Sequence, residues 1–187
     1  MLLLMLTAGT NQYAVDAARV MEVIPKVELR TVPHAPAALV GFLGSRGHVL
    51  PVLDLSLLLA STPSRDCLST RIILVDAYAS DDNEQEHDGA AMRDDAETLR
   101  PRRKPAATLL GLIAERVTDL ANVQPDQIVP NPVVLPKAPY LGAIIQMGQA
   151  MVQLILVERL RAAASLSSGL DQASALDVKR APTPSIA

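Results

Sequence analysis

Short apolar runs separated by turn residues dominate the pattern along this chain. The first two runs, residues 2–6 and 13–15, lie on either side of Gly9-Thr10-Asn11, and this spacing predicts a β-hairpin rather than a signal peptide. Further runs predict strands that carry Leu, Val and Ile between Gly and Pro turns, at residues 39–43, 49–53, 71–75, 140–145 and 151–156. The run 71–75 is apolar throughout, which indicates a strand buried on both faces. Two amphipathic stretches, 55–59 and 157–160, predict short helices.

The order of these elements contains an internal sequence repeat, which we call the echo. Residues 17–23, which read Ala-Ala-Arg-Val-Met-Glu-Val, return at 114–120 as Ala-Glu-Arg-Val-Thr-Asp-Leu. The Pro-x-Ala-Pro sequence of residues 33–36 returns at 136–139, and each copy leads into a strand, a Gly turn, a second strand and a short helix. Apolar strands resemble one another, but this would not explain matched landmarks in the same order. The pattern predicts a mainly β fold of two related small barrels that share an apolar core.

Composition narrows the classes of function. The chain has 187 residues and 49% apolar residues, but only 2% aromatic residues, so the core is built from aliphatic side chains. Few aromatic rings and a net charge of −3 argue against a nucleic-acid partner. No apolar run approaches the roughly 20 residues that span a bilayer, and a single cysteine, Cys67, fits a reducing compartment. We therefore expect a cytoplasmic protein that does not insert into a membrane.

Two stretches lie outside the duplicated plan. Residues 80–105 combine an acidic block with the basic residues Arg100, Arg102, Arg103 and Lys104. Such a segment buries too little apolar area to offset its ordering entropy, so we expect a mobile charged loop. The segment 165–187 is rich in Ala, Ser and Pro and is predicted to be a disordered tail. The folded domain is thus expected at residues 1–164.

The residues that carry chemistry do not form a catalytic or metal-binding pattern. His34, His48 and His87 lie in turns or in the charged loop, without metal-ligand spacing, and Cys67 is interpreted as a buried or incidental thiol. Residues 41–47 are rich in glycine but lack the spacing of phosphate and dinucleotide loops. They are interpreted as a hairpin turn that presents Arg46, whose guanidinium offers a planar fork of donors to a partner. We expect no catalytic residue, no metal and no cofactor.

Several segments together resemble the CheW-like family of chemotaxis coupling proteins. The resemblance is carried by residues 13–16 and 19–23, the Pro pair at 33–36, Gly41, the segment Arg46-Gly47-His48-Val49-Leu50-Pro51-Val52-Leu53-Asp54-Leu55, residues 111–113 with Val117, and Tyr140-Leu141-Gly142. It covers nearly the whole chain except the charged loop and the tail. Gly44-Ser45 stands where the family often has Asn-Leu, and Leu156 stands where many members have a polar residue. The family fold that this resemblance implies is two five-stranded β-barrels around a shared core.

The resemblance also implies a function. Family members are non-catalytic adaptors that couple the cytoplasmic tips of methyl-accepting chemoreceptors to a CheA-type histidine kinase, whose own CheW-like regulatory domain pairs with them in receptor arrays. It places Val20, Glu22, Gly41 and Arg46 at the partner-binding surface. The N-terminal run and residues 68–75, 110–116 and 138–142 resemble the coupling proteins of Wsp-type surface-sensing systems, which control cyclic di-GMP. A flagellar or pilus chemotaxis adaptor is the alternative. A small-molecule-binding β-barrel is a weaker one, because few polar groups converge in the predicted strands, and an enzyme is opposed by the lack of a nucleophile–base pair.

Overall fold

A computed structural model describes residues 1–45, 47–78, 109–133 and 135–163. Arg46, the expected charged loop and the expected disordered tail lie outside these described residues. The strands are β1 (Leu2–Ala8), β2 (Asn11–Asp16), β3 (Val20–Pro25), β4 (Leu39–Ser45), β5 (His48–Asp54), β6 (Arg71–Asp76), β7 (Leu109–Ala114), β8 (Arg116–Asn122), β9 (Ile128–Val129), β10 (Leu141–Met147) and β11 (Ala150–Ile155). Helix α1 (Leu55–Ala60) follows β5, and helix α2 (Val157–Ala163) follows β11.

The strands form two sheets with matching order. One sheet has the order β3-β6-β7-β5-β4, and the other has the order β8-β1-β2-β11-β10-β9. Apart from the two-residue β9, each strand of one sheet has a counterpart in the other, including one parallel neighbour pair, β5 with β7 and β11 with β2. The prediction of a mainly β fold with two related five-stranded halves is confirmed, with β9 as an additional strand in the second.

The two copies of the sequence repeat exchange their hairpins. The first copy runs from β1 to α1 and the second from β6 to α2. In space, the β1–β2 hairpin of the first copy joins β8, β10 and β11 of the second, and the β6–β7 hairpin of the second joins β3, β4 and β5 of the first. Each half therefore contains strands from both copies. We call the half with β3, β4 and β5 the first half and the other the second half.

Equivalent hydrogen bonds fix the correspondence between the halves. The amide of Asp54 donates to the carbonyl of Ala38, and the amide of Leu156 donates to the carbonyl of Tyr140, both at 2.8 Å. The strand pairs Leu39 with Leu53 and Leu141 with Ile155 have the same spacing of 102 residues between copies. Leu156 thus occupies the position of Asp54.

The apolar side chains form one shared core and a smaller core within each half. The shared cluster contains buried residues of both sheets and both helices, among them Leu6, Val15, Leu53, Leu112 and Leu160. Strand β6 is buried on both faces as predicted, because Ile73 and Val75 face the shared core while Ile72 and Leu74 face the core of the first half. The shared apolar core that the sequence predicts is confirmed.

Helix α1 is fixed at its start by a buried carboxylate. Asp54 is only 4% exposed, and its Oδ1 accepts hydrogen bonds from the amides of Ser56 and Leu57 at 2.9 and 3.1 Å. The amide and hydroxyl of Ser64 donate to the same carboxylate at 2.9 and 2.7 Å. A buried carboxylate with four donors satisfies the free amides of the first helical turn and ties the chain after the helix to the strand before it.

Both helices in the described ranges are short, with six and seven residues. No helix in this part of the chain has the length and apolar character that crossing a bilayer requires.

We expect Asp54→Ala to lower the free energy of unfolding by about 3 kcal/mol, because it removes a helix cap and leaves buried donors without an acceptor. Asp16→Ala is the matched control, since Asp16 caps a 3-10 turn, Ala17–Arg19, through one exposed hydrogen bond to the amide of Ala18. The control should cost no more than about 1 kcal/mol. Urea denaturation of both variants measures the difference, and equal losses would contradict the role assigned to Asp54.

Candidate partner-binding surface

Strand β3 lies at one edge of its sheet and carries two of the predicted partner-binding residues. Val20 pairs with Val75 and Glu22 pairs with Leu74 of β6, and the register shifts between these two pairs. The shift makes Met21 an additional residue in the strand, and its side chain is 59% exposed. Val20 and Glu22 are half-buried, and Val20 packs against the shared core.

Glu22 and the β4–β5 turn line one small depression, which we call the first cup. Its lining comes from β3, β6 and β7 together with the ends of β4 and β5, and its volume is about 90 Å³. The lining residues are Met21, Glu22, Ser45, His48, Leu50, Leu74 and Leu109. Arg46 follows Ser45 in the turn but lies outside the described residues. The structure thus brings Glu22 close to both flanks of the turn that carries Arg46.

Gly41 is buried in β4, away from the solvent-exposed surface. A Cβ atom at this position would lie 2.7 Å from the carbonyl oxygen of Arg30 and 3.0 Å from the Cβ of Leu29. The absence of a side chain lets Arg30 and Phe42 exchange two backbone hydrogen bonds, of 3.0 and 2.8 Å. The described structure therefore explains Gly41 by close backbone approach, and its contact with a partner stays a prediction.

A second cup lies at the equivalent place in the second half. It has a volume of about 270 Å³ and is lined by Met5, Leu6, Thr7, Gln12, Thr118, Asp119, Ala121, Met147 and Ala150. In the sequence echo Glu22 corresponds to Asp119, and the strand spacing places Met147 and Ala150 where the first cup has Ser45 and His48. Ala150 has a smaller side chain than its counterpart His48, which helps to explain why the second cup is wider.

Exposed apolar side chains also occupy equivalent positions on the two hairpins. Val49 in β5 is 69% exposed, and Met151, 102 residues later in β11, is 72% exposed. Both follow the first residue of the outgoing strand and lie beside a cup. The exposure of Met21, Val49 and Met151 could not be predicted from the sequence, although the echo relates the two hairpins.

Cys67 is exposed, not buried, which corrects one of the two interpretations of this thiol. Its sulfur lies 3.1 Å from the hydroxyl of Ser69 and 3.2 Å from that of Thr70. These hydrogen bonds lower the pKa of the Cys67 thiol. Burial, with a smaller effect of Tyr13, raises the pKa of Tyr140, whose hydroxyl donates to the carbonyl of Leu58 at 3.4 Å.

The two histidines that the structure describes lie in different parts of the fold. His34 lies in an exposed turn with a positive φ of 61°, His48 is half-buried at the first cup, and His87 lies outside the described residues. In the ranges that the structure describes, no group of three or more His, Cys, Asp or Glu side chains is arranged to hold a metal ion.

We expect Gly41→Ala to lower the free energy of unfolding by about 2 kcal/mol, because the added methyl group meets the backbone of Arg30. Gly44→Ala in the same strand is the matched control, since its added methyl group meets no atom within 4 Å and should change stability by less than about 0.5 kcal/mol. Thermal unfolding measures both variants. Unchanged stability of Gly41→Ala would show that the Arg30 segment shifts without cost.

Comparisons with known proteins agree with this architecture. The sequence model of the CheW-like domain matches residues 2–164. A probable chemotaxis protein CheW from Rhizobium etli is 25% identical over 154 residues, which cover 81% of each chain. The crystal structure of the scaffolding protein TtCheW from Thermoanaerobacter tengcongensis superimposes with a TM-score of 0.62 at 20% identity, covering 82% of this chain and 87% of that one, and so shares the fold. The chain therefore belongs to the CheW-like domain family, whose members are scaffold or adaptor proteins of chemotaxis signalling.

Proposed function

We propose that this protein is a non-catalytic adaptor that couples methyl-accepting chemoreceptors to a CheA-type histidine kinase. The observation that carries the proposal is the match of the CheW-like domain to residues 2–164, which spans both halves of the duplicated fold. An adaptor needs two docking regions on a rigid frame, and the two halves offer similar surfaces around one core. In this proposal the protein works in the cytoplasm at membrane-associated receptor arrays, and the CheW-like regulatory domain of the kinase is one of its partners.

The partner-binding surface in this proposal is centred on the first cup. Val20 and Glu22 contribute from the edge strand β3, and Arg46 contributes from the turn whose flanking residues Ser45 and His48 line the same cup. An edge strand beside a hairpin turn offers both backbone and side-chain contacts to a partner. Gly41 acts through the backbone packing of β4, which positions that hairpin.

We also propose a signalling pathway for this adaptor. The likeness of several segments to Wsp-type coupling proteins supports a surface-sensing system whose output is cyclic di-GMP, and a flagellar or pilus chemotaxis system is the alternative. Affinity purification from the native cell, with mass spectrometry of the captured kinase and receptor, distinguishes them. Capture of a kinase encoded with a cyclic di-GMP-forming response regulator supports the surface-sensing system, and capture of a flagellar or pilus kinase overturns it. Capture of neither a CheA-type kinase nor a chemoreceptor would overturn the adaptor proposal itself.

Arg46→Ala should unfold like the wild type but lose receptor control of the kinase. A turn arginine contributes little to folding, so stability should change by less than about 0.5 kcal/mol. Its charge-assisted contacts in an assembly should be worth about 2 kcal/mol or more, which corresponds to a loss of affinity of about 30-fold. Arg46→Lys should restore coupling only in part, because an ammonium group cannot reproduce the bidentate fork.

Lys137→Ala is the charge-matched control for Arg46→Ala. Lys137 is exposed in the Pro-x-Ala-Pro turn of the second copy and lines neither cup. The variant should retain both stability and coupling. Thermal unfolding and receptor-dependent kinase activity are measured on the same samples. A large drop in melting temperature for Arg46→Ala, with coupling lost in proportion to the unfolded fraction, would assign Arg46 a structural role instead.

A further inference from the structure

In each half, one end of the sheet lies opposite the cup, and we call this end the mouth. The two halves differ at their mouths. Lys26 and Val123 occupy equivalent positions there, because each follows the edge strand of its half. The amide of Lys26 donates to the carbonyl of Thr70 at 3.4 Å, and the amide of Val123 donates to the carbonyl of Met1 at 2.8 Å. The residues before them, Pro25 and Asn122, also have equivalent strand partners in β6 and β1.

Apolar side chains fill the mouth of the second half. Val123 is 1% exposed and belongs to the core cluster of that half. Leu156 lies over β10, where its Cδ2 and Cγ atoms are 3.0 and 3.1 Å from the position that a Cβ on Gly142 would take. Val123 and Leu156 thus occupy the mouth of the second half, and the absence of a side chain at Gly142 makes room for Leu156.

The first half has a lysine and an aspartate at these two positions. The ammonium of Lys26 lies 3.4 Å from the carboxylate of Asp66, a residue that is itself largely exposed. The carboxylate of Asp54, the counterpart of Leu156, is held by the start of α1 and by Ser64. Neither side chain fills the mouth as its counterpart does, and a cleft of about 530 Å³ remains in the first half. This volume lies within the range of roughly 300–1,000 Å³ that is usual for ligand pockets.

The lining of this cleft combines an apolar floor with an acidic rim. Its apolar residues include Leu29 of the β3–β4 connection, Val40 of β4, Leu57 of α1 and Ile113 of β7. Its charged residues are one cation, Lys26, and three anions, Glu28, Asp54 and Asp66, which leave a net negative charge. Glu28 and Asp66 are exposed at the rim. The cleft therefore favours an aliphatic group that carries a positive charge close by.

We propose that the mouth of the first half binds a short peptide segment of a protein partner, in which an aliphatic side chain stands next to a lysine or arginine. The aliphatic side chain takes the place that Val123 and Leu156 occupy in the second half. The neighbouring cation faces Glu28 and Asp66. The site lies among residues that line neither cup, so it is separate from the surface proposed for coupling the receptor to the kinase.

Methyl NMR of the full chain tests this site with two synthetic peptides. The probe is acetyl-Gly-Leu-Lys-Gly-amide, and the control is acetyl-Gly-Leu-Glu-Gly-amide, which has the same aliphatic group and the opposite charge. The lysine peptide should shift the methyl signals of Val40, Leu57 and Ile113 with a saturable, millimolar dissociation constant. The glutamate peptide should bind at least fivefold more weakly. Absence of saturable shifts with the lysine peptide, or equal binding of both peptides, would overturn the proposal.

Two kinds of variant separate the apolar and the electrostatic part of the site. Thr31→Trp fills part of the cleft from an exposed position of its lining without changing the charge, and should weaken binding of the lysine peptide at least tenfold without lowering the melting temperature. The exposed pair Glu28→Gln and Asp66→Asn should keep the fold and reduce the difference between the two peptides to less than twofold. If Thr31→Trp fails to fold, the exposed pair still decides the question. Binding that is unchanged in the folded variants would show that the peptide lies elsewhere, and would leave the adaptor proposal unaffected.

Discussion

Strand pairings between the two sequence copies hold this protein together. The β6–β7 hairpin of the second copy pairs with β3 on one side and with β5 on the other, and the β1–β2 hairpin of the first copy pairs with β8 and with β11. Because each half is completed by the other copy, neither copy forms its five-stranded sheet alone. The apolar face of each hairpin then lies in the shared core, with Val15, Leu112, Leu53 and Ile155 all buried within it. Burial of this common cluster stabilises both halves at once, so we expect them to unfold together.

This exchange places similar surfaces at set positions on one frame. The cups beside the two hairpin turns are related by the duplication, as are the exposed Val49 and Met151. Differences between the halves then come from single side chains on an equivalent backbone. The first cup has His48 where the wider second cup has Ala150. The open mouth of the first half has Lys26 and Asp54, whereas Val123 and Leu156 fill the mouth of the second half. A duplicated frame whose copies diverge in this way suits an adaptor, which must present distinct docking regions without moving them relative to each other.

Much of this architecture could be predicted from the sequence. The apolar runs give β1, β2, β4, β5, β6, β10 and β11 to within a few residues but leave out β3, β7, β8 and β9. The Arg-Val and Pro-x-Ala-Pro echoes reveal the duplication. The exchange of hairpins could not be predicted, because the echo gives the order of the strands along the chain but not their neighbours in a sheet. The burial of Gly41 could not be predicted either, since it depends on the segment at Leu29 and Arg30 lying beside β4, where Arg30 pairs with Phe42. The first cup could be anticipated only as a set of residues far apart in the sequence, because it needs β3 and the β4–β5 turn to meet in space. Leu156 illustrates most clearly what the sequence alone cannot predict. The resemblance marks Leu156 as unusual, but only the fold identifies it as the counterpart of Asp54, which caps α1.

As an adaptor, this protein is proposed to transmit the state of a receptor to a kinase without chemistry of its own. The most direct measurement is the autophosphorylation rate of the co-purifying CheA-type kinase, reconstituted with membranes that contain its receptor, at increasing concentrations of this protein. We expect the kinase rate to respond to the receptor only when this protein is present, and the response to saturate as the ternary complex forms. A kinase rate that follows the receptor equally well without this protein, or that changes with this protein but never with the receptor, would contradict the adaptor proposal.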